Sequence, residues 1–344
     1  MDRRNIAKVG LVCSMLFVII FVFGLTSAYA AEKIIMKVAH GDLTDVCTSR
    51  KHAQLIIFKE LVNSMSGGRI EVQVFGGASV GGERENVEST VAGHIQGTSA
   101  SSVVEAFYPP AMIFAIPYLF PSAPVAWEVL DGPFGKKLSD DILKKVGVRN
   151  LAFGEVGFRH FTTTNKAIHS PRDMKGLKIR VQQSPMWVTL VKSLGANPTA
   201  IVMAEVYTSL QTGVIDGQEN PVSVILNFNL QEIQKNVVLD GHVYGVDWFL
   251  VNEKFYQSLP KDLQAVVNEA AKISTTVSRG IQQLTSGIGI SKLQQAGVQV
   301  YAPTDQEKAL FKQASQGPVV QWLKTKVDPK LVDEALRAVA RASK

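Results

Sequence analysis

With 344 residues, a formal net charge of +6 and two cysteines, the chain is long enough to bury a core without covalent staples. The basic excess is mild and no basic run carries it, so nucleic-acid binding has little support, while anionic small molecules remain open as ligands.

The chain begins with a targeting pattern. Arg3, Arg4 and Lys8 precede an apolar run, Val9–Leu25, of about 17 residues, and Ala28-Tyr29-Ala30 forms a small-x-small cleavage signal. An uncleaved membrane anchor is the alternative, but the run is short and the cleavage motif follows at once. Cys13 lies at the start of the run rather than beside the cleavage site, which argues against a lipoprotein. Removal of residues 1–30 lowers the net charge from +6 to +4 and leaves Cys47 as the sole cysteine, so no internal disulfide is expected. No second apolar run is long enough to span a bilayer, and about 314 residues remain for an exported α/β protein, most simply of two domains.

Ile34–Val38 reads as a strand, residues 52–65 as an amphipathic helix carrying Leu55, Ile56, Phe58, Leu61 and Val62, and Arg69–Phe75 as a second strand. This β-α-β pattern predicts a parallel sheet. The glycine-rich stretch Gly76–Gly82 fails the phosphate-loop test because no Gly-Lys-Ser/Thr closes it; it presents Glu83 and Arg84 at the start of the next helix, which stops near Gly93. Thr98–Val104 has the small, β-branched composition of a strand end lining a cavity. Helices are expected over Val125–Leu130 and Phe134–Lys145, and a buried strand over Val148–Phe153. Residues 154–160 place Arg159 where the chain passes toward a second domain.

Residues 173–221 are the most ordered pattern. Leu177, Ile179 and Val181 alternate with Lys178 and Arg180, the period of a strand, with Arg180 opposite the apolar side chains. Ser184-Pro185 is a helix start, Gly195 follows its end, and a second helix is expected from about Met203 to Thr212. Val214-Ile215 leads into Asp216-Gly217, read as a turn, with Asn220 just beyond. Ligands collect beyond the carboxyl ends of strands in open α/β sheets, so Arg180 and Asn220 are candidates to face one crevice. Further on, Asp247–Asn252 reads as a strand, a long helix begins after Pro260 and is weakened at Gly287 and Gly289, Val298–Tyr301 reads as a strand, and two or three helices close the chain.

Catalytic motifs are missing: the sequence has no Gly-x-Ser-x-Gly, His-Glu-x-x-His or Cys-x-x-Cys, and its six histidines do not cluster at metal-ligand spacing. Neither an enzymatic activity, a cofactor nor a metal is expected. What remains suits an anion, since the guanidinium fork of Arg180 matches the two oxygens of a carboxylate. On spacing alone, however, a solvated surface charge at Arg180 and a turn cap at Asn220 are the simpler readings.

The motifs change that balance. Asp173–Val181 (DMKGLKIRV), Leu194–Thr199 (LGANPT), Glu205-Val206-Tyr207 and above all Leu210–Pro221 (LQTGVIDGQENP) resemble the substrate-binding proteins of tripartite ATP-independent periplasmic (TRAP) transporters, of the C4-dicarboxylate-binding type. Weaker matches extend the likeness over nearly all of the mature chain. The resemblance implies a two-domain α/β periplasmic solute-binding fold with a cleft between the domains and one long helix, about 260–295, along both. Domain I is then 31–157 with 246–285, and domain II 158–245 with 286–344.

Position by position, the resemblance makes Arg180 the partner of the substrate carboxylate, Asn220 a hydrogen-bonding residue for the same group, and Arg159 a second pocket arginine. Glu83, Ser101, Ser184 and Met203 fall at other pocket-lining positions, Met203 where an aromatic residue is common. Trp248 reads better as core than as cleft lining. The implied partners are a small organic acid, a C4-dicarboxylate or a sugar-acid-like carboxylate, and the membrane subunits of a transporter. An extracytoplasmic sensor feeding a membrane receptor, or an enzyme on the same fold, are the alternatives.

Overall fold

A computed structural model describes residues 33–344; the targeting segment and cleavage site read from residues 1–30 lie outside the described residues. The described strands form one sheet in the order β2 (Ile70–Phe75), β1 (Ile34–Ala39), β3 (Gly97–Ala100), β8 (Asn236–Asn252), β4 (Val148–Thr163), β7 (Gly217–Asn220), β5 (Lys178–Val181), β6 (Asn197–Ala200), with β9 (Gln299–Tyr301) paired to β8.

The first lobe opens with β1 (Ile34–Ala39), α1 (Arg50–Met65) and β2 (Ile70–Phe75), followed by α2 (Glu83–Ala92) and β3 (Gly97–Ala100). β1 pairs β3 in parallel, and His40 N donates to Phe75 O at 3.0 Å, so the carboxyl ends of β1 and β2 lie side by side. After β3 the chain makes 3-10 turns at Ser102–Ala106 and Pro109–Ala115 rather than extending the strand to Val104. The apolar residues of the second turn are buried, as their run of small and aromatic side chains requires. Helices α3 (Ala123–Asp131) and α4 (Pro133–Val146) each begin with proline in the first turn, where its missing N–H costs nothing.

Two long strands then tie the sheet together. β4 (Val148–Thr163) and β8 (Asn236–Asn252) pair antiparallel over nearly their full lengths, with register shifts at Asn150/Ala152, Glu155/Gly157 and Arg159/Phe161. The sequence reading ended the first of these at Phe153 and began the second at Asp247. Gly154, Gly157, Gly241 and Gly245 interrupt the hydrophobic alternation, yet two of them are needed in the ladder: a Cβ at Gly245 meets Val156 Cβ at 2.6 Å, and one at Gly154 meets Asp247 Cβ at 3.1 Å. Register shifts of this kind bend a strand and increase its twist, and they fall where the chain passes between the two ends of the sheet.

The second lobe holds β5 (Lys178–Val181), α5 (Pro185–Ser193), β6 (Asn197–Ala200), α6 (Val206–Gln211), β7 (Gly217–Asn220) and α7 (Val222–Asn227). β5 pairs both β6 and β7 in parallel, and β7 pairs β4 antiparallel. The structure corrects one expectation here. Asp216-Gly217 is no turn between strands; it is the entry to β7, and Asn220 is the last residue of that strand. Asp216 N donates to Lys178 O and Asp216 Oδ2 accepts from Lys178 N, which fixes the segment against β5. Gly217 is required because a Cβ there sits 2.1 Å from Thr162 O.

After α8 (Glu253–Ser258), α9 (Lys261–Gln295) is one unbroken helix, about 52 Å long at 1.5 Å per residue. It touches both ends of the sheet. Thr275 accepts from Gln54 and Ser278 donates to Arg50 O on α1, while Gln282 accepts from Ser223 on α7. Gly289 does not break the helix; it lets α7 approach, since a Cβ would meet Val222 Cγ1 at 2.5 Å. β9 (Gln299–Tyr301) joins β8, α10 (Asp305–Leu323) packs on α5, and α11 (Pro329–Ala342) packs on α3 and α4. Trp248 is buried among Tyr108, Phe114 and Phe153, a core residue as its sequence context suggested. Among the described residues, no helix is long and apolar enough to cross a membrane, and Cys47 is exposed and unpaired.

Candidate carboxylate-binding cleft

Both lobes present side chains at the carboxyl ends of their parallel strands. In the second lobe, Arg180 on β5 is 4% exposed although it faces away from the apolar alternation, so its face of the strand is covered as well. Its Nε donates to Ile201 O at 2.8 Å, and among the described residues no carboxylate pairs with it and its terminal nitrogens donate to no protein group. Burial pulls Arg180 down to about 10; Glu219 opposes that shift and Arg159 adds to it. A buried guanidinium that its own protein leaves half-satisfied is a site for a planar anion.

Asn220 ends β7, also 4% exposed. Its Oδ1 accepts from Arg159 Nη2 at 2.7 Å, and its Nδ2 donates to Gln218 Oε1. Arg159 on β4 is held on several sides. It pairs with Glu219 Oε2, donates to Glu219 Oε1 at 2.9 Å and to Glu219 O at 2.6 Å, and lies 4.9 Å from the centroid of the Trp187 ring. Behind it, His242 sits 3.3 Å from Glu219 and 2.9 Å from Asp240. Burial works against a charged His242, but these two carboxylates win and lift it to about 9. Burial likewise opposes charge on Glu219, yet Arg159 and His242 outweigh it and hold the carboxyl below its usual range. The arrangement is a fully buried, charge-alternating row that fixes Arg159 and Asn220 from behind. None of Glu219, Asp240 or His242 stood out in the sequence; a histidine two residues after an aspartate on a glycine-rich strand was the available signal.

Ser184 caps α5, accepting from Met186 N at 3.2 Å, and its hydroxyl donates to Glu105 in the 3-10 turn of the first lobe. Burial pushes Glu105 up to about 8, with the Ser184 hydrogen bond and Arg159 pulling the other way. Glu105, through its contact with Ser184, is a further candidate that sequence reading passed over. Met203 lies two residues beyond Ile201, half-buried, and packs with the cluster of Val206, Leu210 and Ile225.

In the first lobe, Glu83 opens α2 and Ser101 follows β3. Ser101 donates to Glu83 through both N and Oγ, at 3.2 Å each to Oε1. Lys51, 1% exposed in the first turn of α1, pairs with the same Glu83 oxygen and lies 3.4 Å from Asp247 and 3.6 Å from Asp42. Arg50 pairs with Asp247 at 2.7 Å and Asp42 at 3.0 Å. Burial alone would raise Asp42, but Lys51 and Arg50 bring it down to about 2. Glu83 and Ser101 thus lie together in one lobe, Arg180, Asn220 and Arg159 in the other, and the Ser184–Glu105 contact links the two. Among the described residues, no group of three or more His, Cys, Asp or Glu side chains is arranged to hold a metal.

Two lobes of parallel strands joined by long crossing strands and a shared helix, with charged side chains gathered between them, define a two-domain solute-capture protein. Residues 47–325 match the family model described as bacterial extracellular solute-binding protein, family 7. The chain is 34% identical over 282 residues to a solute-binding protein of Verminephrobacter eiseniae, covering 82% of this chain and 83% of that one. It is 29% identical over 288 residues to the C4-dicarboxylate-binding periplasmic protein DctP of Rhodobacter capsulatus, covering 82% and 84% of the two chains. The sugar acid binding protein of Advenella mimigardefordensis, solved in complex with galactonate, superposes with a TM-score of 0.85 at 30% identity, over 90% of this chain and 99% of that one. The chain belongs to family 7 of the bacterial extracellular solute-binding proteins, the solute-binding components of TRAP transporters. That family is a non-enzymatic transport component, in keeping with the missing catalytic motifs.

Proposed function

We propose that this protein captures a small organic acid by one carboxylate between its two lobes, in the periplasm after loss of residues 1–30, and delivers it to the membrane subunits of a TRAP transporter for uptake driven by an ion gradient. The observation that carries the reading is Arg180: a buried guanidinium with no ion-pair partner among the described residues. Asn220 and Arg159, fixed from behind by Glu219, stand ready to complete the anion's hydrogen bonds. Glu83, Ser101 and Ser184 read the rest of the molecule, and Met203 borders the entrance near Ile201. Domain I (31–157 with 246–285) and domain II (158–245 with 286–344) close on the solute, α11 returning from the second to pack on the first. Closure excludes water and strengthens the Arg180–carboxylate pairing.

A thermal-shift screen of the mature chain against an organic-acid library, followed by calorimetry with the strongest hit, tests this reading, since a ligand that binds only the folded state raises the melting temperature. Arg180→Ala is expected to weaken that hit by about 2–5 kcal/mol, a loss of roughly 30-fold to several thousand-fold. A loss under about threefold removes Arg180 from the clamp.

A further inference from the structure

We propose that the second lobe holds a separate site for an uncharged, ring-sized aromatic molecule with a hydrogen-bonding edge, in a cavity between β4, β8, β9 and residues 167–169. The site stands whether or not Arg180 binds a carboxylate.

The cavity holds about 180 Å³, and about 150 Å³ is enough for benzene. None of the cleft residues described above lines it; the two regions touch at Phe161, whose ring stacks on His242 at 4.1 Å. Strand register sets the floor. Phe161 pairs with Val238 and Val238 with Tyr301; two residues along, Thr163 pairs with Asn236 and Asn236 with Gln299. Side chains two apart on a strand share a face. One face of three strands therefore carries an apolar row beside a polar row, and all six residues line the cavity. Ala167, Ile168 and His169 form the roof. That segment is tied from outside: His169 N and Ser170 N donate to Asp173 Oδ2 at 3.1 and 2.9 Å, and Thr163 Oγ1 donates to Lys166 O. Floor and roof are thus both fixed by hydrogen bonds within the protein, and the space is preformed.

The lining defines the ligand. No lysine, arginine, aspartate or glutamate side chain lines the cavity, so a charge brought into it loses water and gains no ion-pair partner. The cleft selects an anion; this cavity selects against one. Three rings surround the space, those of Phe161, Tyr301 and His169. His169 and Tyr301 meet edge to face, with centroids 4.3 Å apart at 76°, and the Tyr301 hydroxyl donates to Glu307 Oε1 at 2.6 Å. Offset and perpendicular packing on such rings favours another planar ring. Phe161 and Val238 are buried, whereas His169 and Gln299 are exposed, so the apolar end lies inside and the polar end at the mouth. Among the described residues, the His169 imidazole, Asn236 Oδ1 and the Gln299 carboxamide make no hydrogen bond to another protein group. They are free to meet a hydroxyl or N–H on the outer edge of the ring. A mostly apolar space with a few convergent polar groups is the usual make-up of a small-molecule site.

NMR titration of the isotope-labelled mature chain with p-cresol, indole and benzylamine, the last a cation at neutral pH, tests the proposal. p-Cresol and indole are expected to bind with dissociation constants below about 1 mM and to shift the amides of residues 167–169 and 299–301. Benzylamine is expected to bind at least about tenfold more weakly. Ala167→Trp, which fills the space from the roof, is expected to abolish the p-cresol and indole shifts. Arg180→Ala should leave them unchanged, so failure of the carboxylate clamp does not touch this result. No saturable shift up to about 5 mM overturns the site. Shifts confined to Arg180, Ser184 and Asn220, or lost in Arg180→Ala, place the probes in the cleft and overturn it too. Benzylamine binding as tightly as p-cresol overturns the ligand class, and unchanged shifts in Ala167→Trp overturn the assignment to this cavity. The wild-type shift map and Arg180→Ala decide the site even if Ala167→Trp fails to fold.

Discussion

At the scale of single residues, the site is dominated by buried charges that hold one another in place. Removing one partner from such a row leaves an uncompensated charge, which typically costs about 3–5 kcal/mol. His242→Gln is expected to fall in that range by urea unfolding, since Glu219 and Asp240 then face each other's environment without a cation between them. The same residues set a pH dependence. Glu105 is raised from 4.5 to about 8 and His242 from 6.5 to about 9, so the folded state holds both protons longer than the unfolded chain. Their contribution is fully present below the unfolded values and is lost as pH rises, for Glu105 between 4.5 and about 8 and for His242 between 6.5 and about 9. The melting temperature should therefore fall from about pH 5 to pH 9. Glu105→Gln, uncharged throughout, should flatten the lower part of that fall and melt about 3–6 °C above wild type near pH 8. A Glu105→Gln profile parallel to wild type contradicts this assignment. Asp42 acts at the other end: held down at about 2, it gives stability that disappears as pH falls from about 4 toward 2.

At the scale of elements, glycines separate close packing from open surface. Gly287 and Gly289 are two residues apart in α9, yet a Cβ at Gly287 meets nothing within 4 Å, whereas one at Gly289 runs into Val222 and Leu226 of α7. Gly287→Ala should stabilise by about 0.5–1 kcal/mol through helix propensity. Gly289→Ala should destabilise by about 1–3 kcal/mol despite the same propensity gain, because Val222 is β-branched and yields poorly. Thermal denaturation of the two variants side by side checks the opposite signs. Gly217→Ala is the more severe case, since the obstacle is the Thr162 carbonyl of the neighbouring strand. It should loosen the β4–β7 pairing and carry Asn220 out of place, weakening solute binding as well as stability.

At the scale of the molecule, the lobes are joined by β4, β8 and α9 and held face to face by polar contacts, Ser184 to Glu105 and Asn227 Nδ2 to Thr48 O at 2.9 Å. On the proposed reading, a solute bound between the lobes favours a closed over an open arrangement. Small-angle scattering should report a smaller radius of gyration with saturating solute than without. Ser184→Ala, which removes one link, should enlarge the solute-free form and leave the saturated one nearly unchanged; equal radii in all four samples count against closure.

Much of this was legible in the chain itself. The hydrophobic periods placed α1, β2, α4 and β5 within a few residues, because each buries a single continuous stripe whose spacing depends only on local geometry. The family motifs around Arg180 and Asn220 pointed to a carboxylate. Other features were beyond local reading. The lengths of β4 and β8 were hidden by glycines whose purpose is the close approach of the opposite strand. Asp216-Gly217 looked like a turn because its local chemistry is that of one, and only pairing with β5 and β4 makes it a strand entry. The supports of the site, Lys51, Glu105, Glu219 and His242, were silent because their importance lies in partners distant in sequence, such as Glu105 and Ser184 or Arg159 and Glu219. Residue type and spacing alone left a solvated surface charge at Arg180 as the simpler reading, and only the family motifs favoured a carboxylate; that Arg159 is already neutralised by Glu219 while the buried Arg180 has no carboxylate partner among the described residues was decided by tertiary contacts, which join residues far apart in the chain.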